Sequence, residues 1–272
     1  MPRTARTSIE IEYAVHGDRQ NPAIVLIRGL GSQMVEWPDT LIGTLADAGY
    51  RVLAFDNRDA GLTQKVPEPY EFKDMVNDVR ELLEELEIDA AHILGISMGG
   101  IVAQYFAAMF PQKILSLISV MSTTGDPSLP QPAADVVEML VQHPADRAEA
   151  VELGLTRRRR FLGRGFSEAD ADARQAVERL LDRCHDPVAT ARQQRAVTRA
   201  AANPDRLAAI RCPTLVIHGD DDAILSVEHG EDTARRIDGA KLVIVPGMGH
   251  AIPPALGGRL ANVILEFLGN PS

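Results

Sequence analysis

Short apolar runs separated by helical stretches constrain this chain more than any other feature. The runs are Ala23–Arg28, Arg51–Asp56, His92–Ile96, Ile114–Val120, Thr214–His218 and Lys241–Val245. They are rich in β-branched residues and apolar at consecutive positions. A strand with one wet face alternates polar and apolar residues. A run that is apolar throughout is buried on both faces, which calls for a parallel sheet with helices above and below it. Ser8–Val15 alternates instead, through Ile9, Ile11, Tyr13 and Val15, and predicts an antiparallel edge strand. The clearest helix is Phe72–Ile88, where Met75, Val76, Val79, Leu82, Leu83 and Leu86 share a stripe that leaves most acidic side chains outside it. Further helices are expected over Trp37–Ala48, Gly99–Met109, Val227–Ile237 and Leu256–Leu268. The fold class read from this rhythm is α/β, a mostly parallel, doubly wound sheet.

The rhythm stops at about Gly125 and resumes at Cys212. Asp126-Pro127-Ser128-Leu129-Pro130-Gln131-Pro132 opens the interval, Cys212-Pro213 closes it, and nothing strand-like lies between. We read residues 1–125 and 212–272 as the core and 126–211 as an inserted helical cap, whose proline-rich opening is a candidate hinge. Arg157-Arg158-Arg159-Arg160 lies near its middle. Acidic neighbours favour a salt-bridged helix face for this run over an anion site.

With 272 residues, 45% hydrophobic but only 4% aromatic, the chain can build a large core mainly from Ile, Leu, Val and Ala. A net charge of −10 argues against nucleic-acid partners and against a polybasic membrane surface. No stretch approaches the ~18 apolar residues of a membrane span, so a cytoplasmic address is expected. Cys184 and Cys212 form no CxxC pair, so they are expected to be reduced and no structural zinc site is expected. No metal or organic cofactor is expected either.

The chemistry centres on Gly95-Ile96-Ser97-Met98-Gly99. A strand precedes this Gly-x-Ser-x-Gly and a helix follows it. A serine on such a sharp turn is held in a strained conformation that exposes its hydroxyl at the sheet edge, over a helix N-terminus that favours negative charge. The hydroxyl needs a base, and the base needs an orienting carboxylate. Asp220, Asp221 and Asp222 follow one predicted strand and His250 follows the next, so acid and base candidates stand at the strand edge where open α/β sheets bind ligands. Asp222 is the preferred acid, since Asp220 and Asp221 suit the turn. His92 and His218 belong to buried strands, and His16, His143, His185 and His229 lack a glycine-rich setting. Two backbone N–H groups are the candidate oxyanion donors: Met98, after the nucleophile, and Leu30 in Arg28-Gly29-Leu30-Gly31. Gly29, Met34, Trp37 and Met121 are candidate substrate-binding residues, with core packing as the alternative for the large ones.

These pieces resemble the α/β-hydrolase fold superfamily along essentially the whole chain. The matching segments are Arg28-Gly29-Leu30-Gly31, Asp56-Asn57-Arg58-Asp59-Ala60-Gly61, Gly95–Gly100, His218–Asp222 and Gly247-Met248-Gly249-His250. The second, and the last extended through Pro253, resemble the esterase branch that includes anthracycline methylesterases. The resemblance implies Ser97 as nucleophile, Asp222 as acid and His250 as base, in the chain order Ser, Asp, His found in this superfamily. It implies hydrolysis of a small or medium carboxylic ester through an acyl-enzyme. A lactone, such as an acyl homoserine lactone, is the leading alternative. A perhydrolase or haloperoxidase activity and a slow-turnover receptor are more distant ones. A serine at the elbow departs from haloalkane dehalogenases and epoxide hydrolases, which use aspartate there. Many relatives carry His where this chain has Arg28, whose side chain is expected to turn toward the core, the cap or a substrate carboxylate. Arg58 and Asp59 suggest an ion pair supporting their loop.

Overall fold

The computed structural model describes residues 2–67, 69–142, 144–200 and 204–269. Its strands are β1 (Tyr13–His16), β2 (Ala23–Ile27), β3 (Arg51–Phe55), β4 (Ala91–Ile96), β5 (Ile114–Val120), β6 (Thr214–Gly219) and β7 (Lys241–Val245). They form one sheet in the order β1-β3-β2-β4-β5-β6-β7. Only β1 runs antiparallel, against β3; every other pairing is parallel.

Helices α1 (Asp39–Asp47) and α9 (Pro254–Leu268) cover one face, and α2 (Phe72–Glu85) and α3 (Met98–Met109) cover the other. Alternate residues of β2 feed the two layers. Val25 and Ile27 pack with Val79, Leu82, Val102 and Phe106, while Ile24 and Leu26 pack with Leu41, Leu45, Leu260 and Ile264. This two-sided burial is the cause of the unbroken apolar runs. The edge strand β7 departs from it: Lys241 and Leu242 are exposed, because no strand lies beyond them.

Several boundaries differ from the sequence expectation. The N-terminal strand begins at Tyr13 rather than Ser8. Residues before it fold back, with Thr4 N–H bonded to Ile11 O at 3.1 Å, and Ile9 and Ile11 are buried without joining the ladder. Helix α1 starts after Pro38, its N-cap. Helix α2 stops at Glu85 because Glu87 adopts φ 54° and Ile88 N–H closes onto Leu83 O at 2.9 Å.

Between β5 and β6 lie α4 (Ala134–Val141), α5 (Arg147–Phe161), α6 (Asp170–Arg183) and α7 (Pro187–Arg199), with no strand among the described residues. A 3-10 turn, Pro204–Ala209, follows; it packs toward α3 and α8 (Val227–Arg236), and Leu207 joins the core. The arginine run is salt-bridged and capping. Arg158 pairs with Glu168 and Arg159 with Asp170 at 2.8 Å, while Arg157 donates to the Met139, Leu140 and Gln142 carbonyls around the end of α4. The proline-rich opening is fastened to α8, through Arg236 to Asp126 and through His229, whose Nε2 lies 2.9 Å from Pro130 O.

Candidate active site

Strand β4 runs into α3 with Ser97 as the N-cap, at φ 53° and ψ −123°. Close packing forces the glycines around it. A Cβ on Gly95 would sit 2.0 Å from Gly99 O, and one on Gly99 would sit 2.2 Å from Ile27 O. The turn is therefore wedged against the end of β2, and its carbonyl is held by Gly100 N–H at 2.9 Å and by the Ser122 hydroxyl at 2.8 Å.

Three strand ends converge. Ser97 follows β4, Asp222 follows β6 and His250 follows β7. His250 Nε2 lies 2.9 Å from Ser97 Oγ, and His250 Nδ1 lies 2.7 Å from Asp222 Oδ2. Asp222 Oδ1 accepts from Ile224 and Leu225 N–H at 2.8 and 2.9 Å. Burial alone would raise the Asp222 carboxyl, but the charge and hydrogen bond of His250, the Leu225 N–H and His218 outweigh it and leave it below the usual carboxylate range. The Asp222 side chain is fully buried, whereas Ser97 and His250 stay half-buried. That arrangement shields the orienting carboxylate and leaves the hydroxyl reachable.

The neighbouring aspartates tie down the loops. Asp220 Oδ1 accepts from Gly247 N–H at 2.6 Å, which anchors the histidine loop, and Asp221 pairs with Arg164 of the cap at 2.9 Å. His218 is buried, bonds Leu225 O through Nε2 at 2.7 Å, and is held below its ordinary value by burial. Burial likewise pushes the His92 imidazole down to about 4, and its Nδ1 meets Ser116 Oγ at 2.8 Å. His229 lies against Thr123 and Pro130, and His16 and His185 are exposed. His143 lies outside the described residues.

The loop after β2 abuts Ser97: a Cβ on Gly29 would lie 3.2 Å from Ser97 Cβ. Leu30 is half-buried, and among the described residues neither its N–H nor that of Met98 donates to a protein acceptor. Met34, Trp37 and Met121 are buried in the core layer beneath this loop, each at most 2% exposed. Arg28 turns into that layer. Its guanidinium stacks 4.9 Å from the Trp37 ring centroid and lies 3.7 Å from Glu36, and burial, with Arg158 nearby, holds it below its ordinary value.

The expected Arg58–Asp59 pair does not form. Arg58 makes two 2.6 Å bonds to Asp78 of α2, and Asp59 is paired with Arg192 of α7 at 2.8 Å. Asp59 has φ 66°, and it and its neighbour take different partners. Sequence reasoning also missed the grip of the inserted helices on the loops after β2 and β3. Arg183 pairs with Asp56 at 2.7 Å, Gln33 donates to the Leu180 and Cys184 carbonyls, and Gln193 accepts from Gly31 N–H at 2.8 Å. No local motif marks these residues, because each partner is remote in sequence. Among the described residues no group of three His, Cys, Asp or Glu is placed to hold a metal ion, and no helix is long and apolar enough to cross a membrane.

Comparison with known proteins agrees with this architecture. The chain is 29% identical to rhodomycin D methylesterase DauP of Streptomyces sp. (strain C5), an alignment spanning 91% of each protein. It is 28% identical to 3-oxoadipate enol-lactonase 2 of Acinetobacter baylyi, over 82% of this chain and 80% of that one. The crystal structure of a hydrolase from Pseudomonas aeruginosa PA01 superposes with a TM-score of 0.81 at 29% identity, covering 98% of this chain and 97% of that one. Residues 22–253 match the family described as alpha/beta hydrolase fold. The chain belongs to the alpha/beta hydrolase fold family.

Proposed function

We propose that this protein is a serine hydrolase of small carboxylic esters. The observation that carries the reading is the unbroken chain Asp222–His250–Ser97, with bonds of 2.7 and 2.9 Å, ending on a serine strained at a helix N-terminus. In this reading His250 Nε2 takes the Ser97 proton as the hydroxyl attacks the ester carbonyl. Asp222 holds the imidazole in the tautomer that keeps Nε2 free to accept, and stabilises the imidazolium that follows. The carbonyl oxygen, now an oxyanion, is received by the Leu30 and Met98 N–H groups, which donate to no protein acceptor among the described residues. The imidazolium returns its proton to the leaving alcohol. A water then loses a proton to His250 as it attacks the acyl-enzyme, and the imidazolium returns that proton to Ser97 Oγ as the second tetrahedral intermediate collapses, releasing the acid. Gly29, packed against Ser97, is proposed to border the acyl group, and Met34, Trp37 and Met121 to form the buried layer that supports its loop. Similarity to a methylesterase and to an enol-lactonase supports an ester and a lactone alike, since ring opening uses the same steps.

The test is turnover of p-nitrophenyl acetate, butyrate and octanoate, with an acyl homoserine lactone followed by pH-stat beside them. We expect multiple turnovers by the wild type, and none by Ser97→Ala above the uncatalysed rate. Full activity in a folded Ser97→Ala would overturn the reading. The ranking of substrates decides between ester and lactone.

A further inference from the structure

The cap reaches into the oxyanion loop at one buried side chain. Gln193 of α7 is completely buried, and both ends of its amide are used. Its Oε1 accepts from Gly31 N–H at 2.8 Å, and its Nε2 donates to Arg58 O at 2.6 Å. Thr190, one turn earlier on α7, stands against the same glycine: a Cβ on Gly31 would lie 2.9 Å from Thr190 Cγ2.

The loop needs such a partner. Gly29–Ser32 closes a turn through Ser32 N–H to Gly29 O at 3.3 Å, a long bond. Gly31, its third residue, has φ +66°, while Leu30 does not have positive φ. These are the signs of a type II turn. Types I and II differ by a flip of the central peptide, here Leu30–Gly31, and glycine tolerates both. Gln193 Oε1 binds the N–H of that peptide and so selects one orientation. The Leu30 N–H, the proposed oxyanion donor, belongs to the preceding peptide, Gly29–Leu30; by tying the turn's third residue to α7, Gln193 fixes where that whole turn stands against Ser97.

We propose that Gln193 is a positioning residue for acyl transfer: from the cap, it clamps the Leu30–Gly31 peptide so that the Leu30 N–H stays aimed at the oxyanion. This rests on the ester-hydrolase reading above. The clamp acts on the tetrahedral state and not on ground-state binding, so it predicts a loss in kcat with KM nearly unchanged. Removing a donor outright lowers rates by about 10²–10³-fold, and misaligning one is expected to cost roughly 10–100-fold.

The experiment compares wild type, Gln193→Met and Gln193→Glu on p-nitrophenyl butyrate. Binding of a trifluoromethyl ketone, which forms a tetrahedral adduct with serine, is measured beside binding of the matching unreactive amide. For Gln193→Met we expect kcat to fall roughly 10–100-fold, the ketone to weaken in proportion and the amide to bind as before. Gln193→Glu keeps the acceptor for Gly31 but sets its second oxygen against Arg58 O, where the amide had donated, so it is expected to recover only part of the lost kcat. Should Gln193→Met not fold, Gln193→Asn, still polar but too short to reach both partners, carries the same expectation. A folded variant without the acceptor that keeps wild-type kcat and ketone affinity would overturn the inference. So would a loss that falls equally on ketone and amide. Labelling of Ser97 by a fluorophosphonate separates this failure from that of the broader reading. A wild type that neither turns over ester nor is labelled defeats both. One that does both, beside an unaffected Gln193→Met, defeats this inference alone.

Discussion

Ser97 sits at φ 53° because the β4–α3 turn lets its hydroxyl stand clear of the sheet in no easier way. In the proposed mechanism Ser97, His250 and Asp222 act as a unit. Ser97→Ala and His250→Ala are each expected to lower kcat by roughly 10⁵–10⁶-fold, and Asp222→Asn by roughly 10³–10⁴-fold, read by single-substrate kinetics on a p-nitrophenyl ester. Asp222 also links the site to acid stability. Its folded value lies below the ordinary one, despite burial, because of His250 and the Leu225 N–H. An acid with a depressed folded value stabilises the fold above about pH 4 and loses that contribution as pH falls through the lower folded value. Urea unfolding between pH 5 and 2 is therefore expected to show a steeper acid loss for wild type than for Asp222→Asn. The candidate residues Ser97, Asp222 and His250 were legible in the sequence because each follows an apolar run. The partners of Arg58 and Asp59 were not, because they lie on α2 and α7, remote in sequence from the loop.

The strand–turn–helix element has no slack where it meets β2. A Cβ on Gly99 would lie 2.2 Å from Ile27 O and 2.6 Å from Arg28 O, both backbone atoms that cannot swing away. Gly99→Ala is expected to destabilise the protein by about 3 kcal/mol or more, at or beyond the usual range for overpacking, as measured by chemical denaturation. The helical cap shows why element boundaries are harder to read than element types. Its apolar face is matched partly to its own helices, Val151 and Leu155 against Val177, and partly to the core, so no composition shift marks where one layer ends.

At the scale of the whole molecule, the inserted helices are bound to the loops after β2 and β3. Arg183–Asp56 and Arg192–Asp59 are ion pairs whose carboxylates are completely buried and whose arginines are at most 15% exposed. Breaking a buried pair leaves a charge uncompensated and typically costs about 3–5 kcal/mol. Arg183→Met is expected to speed amide hydrogen exchange in α6 and α7 while leaving β4 and β5 protected. Equal protection in wild type and variant would show that this pair does not hold the cap down.

The order of apolar runs by itself determined a parallel sheet wrapped by helices, and the residues just past those runs named Ser97, Asp222 and His250. Local patterning suffices there, because burial on both faces and the turn after a strand are short-range properties of the chain. Strand order needed the tertiary structure. Placing β3 and β4 on opposite sides of β2 opens the crevice in which the Leu30 loop meets Ser97. The cap's contacts needed it as well. Gln193 meets Gly31 across a sequence separation of 162 residues, and a hydrogen bond between such distant positions is set by how layers pack, which no local period encodes.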